Sequence, residues 1–154
     1  MAEVGTNSIK AWILAARPKT LSGAAVPVIV ALTKAWADTD SIAWIPALLC
    51  LLFALIMQID ANFVNDYFDC IKGVDGKDRL GPERACAQGW VTLPAMRWMI
   101  AGTTLLAAAT GLPLIHWGGM EMIYIGIACI IFCFLYTTLL SRIGMGDLLV
   151  LVFF

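Results

Sequence analysis

The chain has 154 residues, 61% of them apolar and only 14% charged, with a net charge of −1. A soluble domain carries about a quarter charged residues, so a protein of the lipid bilayer is the expected class. The near-neutral balance offers no basic field for a nucleic-acid partner, and the N-terminus lacks the pattern of a removable signal peptide.

Taken in order, residues 1–20 form a polar, basic lead-in, MAEVGTNSIKAWILAARPKT. Within it Ile9–Ala16 is apolar, an interfacial half-turn or the first part of a tilted helix. Pro18 suits a first helical turn, and Leu21–Ala37 is the expected first span. Ser41–Ile59 is the second span, Leu93–Ile115 the third and Met122–Leu140 the fourth. The third carries Gly102, Thr103, Thr104, Ala107–Ala109 and Gly111, a small-residue surface suited to close helix packing. His116–Gly119 is the expected turn after it. Ile143–Phe154 opens a fifth segment too short to cross. The prediction is an all-α, multi-pass membrane helical bundle of four spans plus the start of a fifth. It forms one membrane domain, 1–154, that is expected to be truncated at its C-terminus. Lys10, Arg17 and Lys19 precede span 1, and Lys72, Lys77, Arg79 and Arg84 follow span 2. The bias of basic residues predicts that the N-terminus and the 70–91 loop are cytoplasmic, in the inner (plasma) membrane. The cysteines are odd in number; Cys129 and Cys133 lie one helical turn apart without further soft ligands, and they read as packing, not zinc.

Chemistry concentrates in Asn62–Gly89, NFVNDYFDCIKGVDGKDRLGPERACAQG. If Ala61–Ile71 is helical, Asn62, Asn65, Asp66 and Asp69 share one face within an arc of about 100°. Asp60 falls off that face. Gly73 and Gly76 predict a helix end near Lys72 and a mobile, charged loop beyond it. Hard oxygen ligands on a membrane helix, followed by basic residues, suit Mg²⁺ holding a phosphorylated substrate. Arg79 and Arg84 suit phosphate better than the lysines, because a guanidinium grips its oxygens bidentately. The plainer alternative makes Asp66 and Asp69 a solvated helix end balanced by Lys72, and the loop cations topology signals. That leaves Asn62 and Asn65 on the same face unexplained. His116 and Tyr136 read as an interfacial and a packing residue.

Asn65-Asp66-Tyr67-Phe68-Asp69 resembles the first aspartate-rich motif of the UbiA-type intramembrane aromatic prenyltransferases. That motif usually runs N-D-x-x-D-x-x-x-D; here Gly73 stands at the third acidic position and the next acid is Asp75. The spacing NDYFDxxKGVD followed by DRxGPxR is similar to the branch that prenylates 1,4-dihydroxy-2-naphthoate in menaquinone synthesis. Ala16–Leu21 and Gly144–Asp147 agree with it. The resemblance implies a nine-helix bundle and a second aspartate-rich motif across a central cavity, with Mg²⁺ between the motifs and a polyprenyl diphosphate. It implies prenyl transfer with loss of CO₂, giving demethylmenaquinol. Asn62, Asn65, Asp66 and Asp69 would form the Mg²⁺–diphosphate face, with Asp75 and Asp78 as secondary acids. Arg79, Arg84 and Lys72 would meet the diphosphate, and Arg17 and Lys19 the diphosphate or the naphthoate carboxylate. The second motif is expected beyond Phe154, so the 154 residues alone are expected to be inactive. Alternatives are another acceptor such as 4-hydroxybenzoate, or, from a different class, a cation carrier or inactive membrane fragment.

Overall fold

The computed structural model describes residues 4–73 and 83–138, and these are helical with no strand among them. The elements are α1 (Ile9–Ala16), a 3-10 turn (Pro18–Thr20), α2 (Leu21–Thr39), α3 (Trp44–Lys72), α4 (Leu93–Gly111), a second 3-10 turn (Leu112–Leu114), α5 (Ile115–Gly118) and α6 (Glu121–Thr138). Three stretches are long and apolar enough to cross a membrane: Ile9–Thr39, Trp44–Lys72 and Leu93–Gly118. Glu121–Tyr136 is a shorter apolar helix. The multi-span expectation is met; the fifth segment lies outside the described residues.

Local chemistry explains the breaks. The Ser8 side chain caps α1 by accepting the Ala11 N–H at 3.2 Å, which satisfies one orphan donor of the first turn. Pro18 disfavours an α-helical residue before it, and Arg17 takes a left-handed conformation (φ 52°, ψ 69°) that ends the helix. Ile9–Ala16 is therefore a complete short helix. Span 2 does not stop at Ile59: α3 starts at Trp44 and runs unbroken for 29 residues. That is about 43 Å of helix against a hydrocarbon core of about 30 Å, so its last turns rise out of the apolar layer. Gly73 closes it in the left-handed region (φ 64°), its N–H returning to the Asp69 and Cys70 carbonyls, as a glycine after a helix does. His116–Gly118 proves helical, since only Gly119 (φ 70°) breaks the run.

α3 is the centre, packed against α1, α2, α4 and α6. Its contact with α4 uses part of the small-residue surface: Ala107 is buried and Gly111 sits against the Phe53 ring, whereas Gly102 and Ala109 are exposed. α2 buries no residue, and Val30, Trp98 and Leu105 stand outward, as lipid-facing side chains do. The main close-packed core lies at one end of the bundle. There Ala11 and Ala15 of α1, Phe63 and Val64 of α3, Ala85, Cys86 and Val91 of the following segment, and Met96 and Ile100 of α4 meet. Trp12 packs edge-on to Phe63, ring centroids 5.8 Å apart. This core is what fixes the polar face of α3.

Candidate functional site

Two strips of chain are laid over the last turns of α3. The first is the N-terminal segment. The Asn62 side-chain amide donates to the Ala16 carbonyl and to Thr20 Oγ1, each at 2.9 Å. These contacts bracket the Arg17–Lys19 turn, in which Arg17 is half-buried and Lys19 exposed. Holding a non-glycine residue at positive φ costs on the order of 1 kcal/mol, and the amide bonds offset it. Asn62→Leu removes both bonds and leaves the half-buried Ala16 carbonyl without this donor. A loss of about 2 kcal/mol is expected, readable as a lower midpoint of thermal unfolding in detergent; an unchanged midpoint would show that the turn holds itself.

The second strip is the segment after the 74–82 stretch. Asp66 is wholly buried, and its carboxylate accepts the Ala85 N–H at 2.9 Å and the Cys86 N–H at 3.0 Å. Arg84, 7% exposed, donates from Nη2 to Asp69 Oδ2 at 2.7 Å. The turn is closed behind by Trp90 and Val91, whose N–H groups both reach the Ala85 carbonyl. It is tied to the N-terminal strip as well: the Asn7 N–H donates to the Trp90 carbonyl at 2.7 Å, and Asn7 Oδ1 accepts the Thr92 N–H at 3.1 Å.

The shared face expected for Asn62, Asn65, Asp66 and Asp69 is present, but it is graded. Asn62 and Asp66 are buried, while Asn65 and Asp69 are half-buried. Arg84 is brought onto the face and Lys72, half-buried, closes the helix below it. Asp75, Asp78 and Arg79 lie outside the described residues, as does the Gly144–Asp147 stretch.

Two features were missed from sequence. Residues 83–92 are not a mobile charged loop: Ala85 and Val91 are each 1% exposed. The apolar members of ERACAQGWV were the available signal. Asp60 was set aside as off the face, and it does point elsewhere, toward α4. There it is fully buried, one oxygen accepting from the Thr103 hydroxyl and the other from Thr104 Oγ1 at 2.9 Å.

Among the described residues no three His, Cys, Asp or Glu side chains converge on one point. Magnesium does not require that: it commonly takes one or two carboxylates and completes its shell with waters and substrate phosphates. The oxygen donors of Asn65 and Asp69 fit such a site, and the Asp66 carboxylate keeps lone pairs beyond the two its amide donors use.

Residues 24–154 match the model of the UbiA prenyltransferase family. The chain is 34% identical to the 1,4-dihydroxy-2-naphthoate octaprenyltransferase of Escherichia coli, covering all of this chain and 53% of that protein. It is 37% identical to the protein of that name from Mycobacterium tuberculosis, covering 96% of this chain and 51% of the relative. It is 31% identical to a UbiA prenyltransferase domain-containing protein 1 homolog of Drosophila melanogaster, over 95% and 42%. The chain thus spans about half the length of the curated relatives it matches. No solved structure matches it.

Proposed function

The chain belongs to the UbiA prenyltransferase family, a family of membrane proteins, and we propose that it serves Mg²⁺-dependent transfer of a polyprenyl group from polyprenyl diphosphate to 1,4-dihydroxy-2-naphthoate. The observation that carries this is the Asp69–Arg84 pair beside Asn65, at the end of a membrane helix. It sets a cation-binding carboxylate and an anion-binding guanidinium side by side, as a metal–diphosphate substrate requires. The acceptor is taken from the names of the bacterial relatives.

Magnesium, held by Asn65, Asp69 and a remaining lone pair of Asp66, would supply positive charge against the diphosphate. Arg84 binds the diphosphate oxygens, with Lys72, Arg79 and the Arg17–Lys19 turn as further cations around the anion. As the allylic C–O bond breaks, its electron pair leaves with the diphosphate, and these side chains stabilise the growing negative charge. Apolar helix surfaces keep water from the allylic cation. The electron-rich ring carbon bearing the carboxylate attacks the cation, and loss of that carboxylate as CO₂ restores aromaticity to give demethylmenaquinol. Membranes carrying the full-length protein, second aspartate-rich motif included, supplied with a polyprenyl diphosphate, Mg²⁺ and either 1,4-dihydroxy-2-naphthoate or 4-hydroxybenzoate, test the reading by mass spectrometry. Prenylation of the naphthoate is expected. Prenylation of the benzoate alone would move the acceptor, and no product from either would overturn the function.

The site end is assigned to the cytoplasmic face of the plasma membrane from the bias of Lys and Arg. In a cysteine-free background, Gln88→Cys should resist an impermeant thiol reagent applied outside intact cells, whereas Met120→Cys should react. The opposite pattern would invert the topology.

A further inference from the structure

We propose that Asp66 is a positioning residue, holding the Arg84–Cys86 turn so that the Arg84 guanidinium stands beside Asp69 as an anion grip. The diphosphate nature of the anion rests on the prenyl-transfer reading; the holding role does not.

The argument starts from what each carboxylate touches. Asp66 and Asp69 are three residues apart on α3 and so lie on adjacent turns of one face. The turn lies across both, its backbone on Asp66 and its side chain on Asp69. Asp66 has no exposed surface, and its oxygens are bound by the consecutive N–H groups of Ala85 and Cys86. Hydrogen bonds to an ionised acceptor are stronger than those between neutral groups. Removing the acceptor strands two buried donors, which costs more than the bonds themselves are worth. Asp69 is different: half-buried, it meets the tip of the Arg84 side chain. An incoming diphosphate competes with Asp69 for that guanidinium without disturbing the backbone anchor. Asn62 acts in parallel one turn earlier, bracketing the Arg17–Lys19 turn through Ala16 and Thr20. The buried part of the face thus holds cation-bearing turns, and the half-buried part is the more open to the ligand.

The test uses the chain in lipid nanodiscs with Cys86 as its sole cysteine, and two readouts: N-ethylmaleimide labelling of Cys86, and binding of inorganic pyrophosphate in EDTA. Without metal, a side chain that acts only as a metal ligand contributes nothing to pyrophosphate affinity. Asp66→Asn is expected to speed Cys86 labelling about 10-fold or more and to weaken pyrophosphate binding about 10-fold. Arg84→Gln should weaken binding equally while Cys86 stays protected, and the double variant should bind no worse than either single one. Ala85→Pro deletes one donor to Asp66 and leaves the carboxylate in place; it should reproduce Asp66→Asn, and it carries the test if that variant fails to fold. Unchanged labelling, additive losses, or a loss of binding that appears only with Mg²⁺ would overturn the proposal. If the unaltered chain binds no pyrophosphate in EDTA, the anion grip falls; if it binds none with Mg²⁺ either, the prenyl-transfer reading falls as well. Normal binding by the unaltered chain and equally by Asp66→Asn overturns this proposal alone.

Discussion

Asp69→Ala is expected to lower prenyl transfer by membranes carrying the protein about 100- to 1000-fold, the usual cost of deleting one preorganised electrostatic contact to a reacting group. Asp69 is the carboxylate on the α3 face that is both half-buried and beside a cation, 2.7 Å from Arg84. Its removal takes away the oxygen pair proposed to meet the metal, and with it the hydrogen bond from the nearly buried Arg84. The second effect confounds the first, because deleting a buried hydrogen-bond acceptor also destabilises the fold. Asp69→Asn separates them. An amide oxygen still accepts from Arg84, so thermal unfolding should move little, while the charge that draws Mg²⁺ is lost and activity should fall nearly as far. Turnover by Asp69→Asn within a few-fold of the unaltered protein would remove Asp69 from the reaction.

The legible part of the site was the part that a single helix determines. Periodicity alone placed Asn62, Asn65, Asp66 and Asp69 on one face, and Gly73 closed the helix where a glycine after Lys72 implied. What those side chains do was not legible, because their partners come from far along the chain. Asn62 reaches back to Ala16 and Thr20, and Asp66 reaches forward to Ala85 and Cys86. Four oxygen-bearing side chains on one face look alike in sequence, yet their tertiary contacts differ: Asn62 and Asp66 hold backbone of distant segments, whereas Asp69 meets a guanidinium. The same reason hid the order in residues 83–92. Counted as charge and glycine, ERACAQGWV reads as loop; its Ala, Cys and Val side chains are small enough to close over Phe63 and Met96. Span boundaries slipped for a different cause. Nothing between Ile59 and Lys72 stops a helix, so α3 continues past the apolar layer and carries the polar face with it.

Replacing both Thr103 and Thr104 by Val is expected to destabilise the bundle by about 3 kcal/mol, more than hydrogen bonds between membrane helices are usually worth singly. The reason is what is left behind. Asp60 is fully buried where α3 meets α4, and the two threonine hydroxyls are the donors that meet its two oxygens. Valine matches threonine in shape, so packing is kept while the carboxyl group loses both donors inside an apolar contact. Adding Asp60→Leu to the pair removes the stranded group itself, and the triple variant should recover most of the loss, since an apolar replacement of a whole buried polar cluster is often neutral. Unfolding in mixed dodecylmaltoside and SDS micelles measures all three steps. Asp60 points away from the Asn65–Asp69 face, so the triple variant should also keep prenyl transfer. A double valine variant as stable as the unaltered protein would mean that the carboxyl finds other donors. A stable triple variant without activity would mean that Asp60 serves the reaction through α4, and not only the packing of α4 on α3.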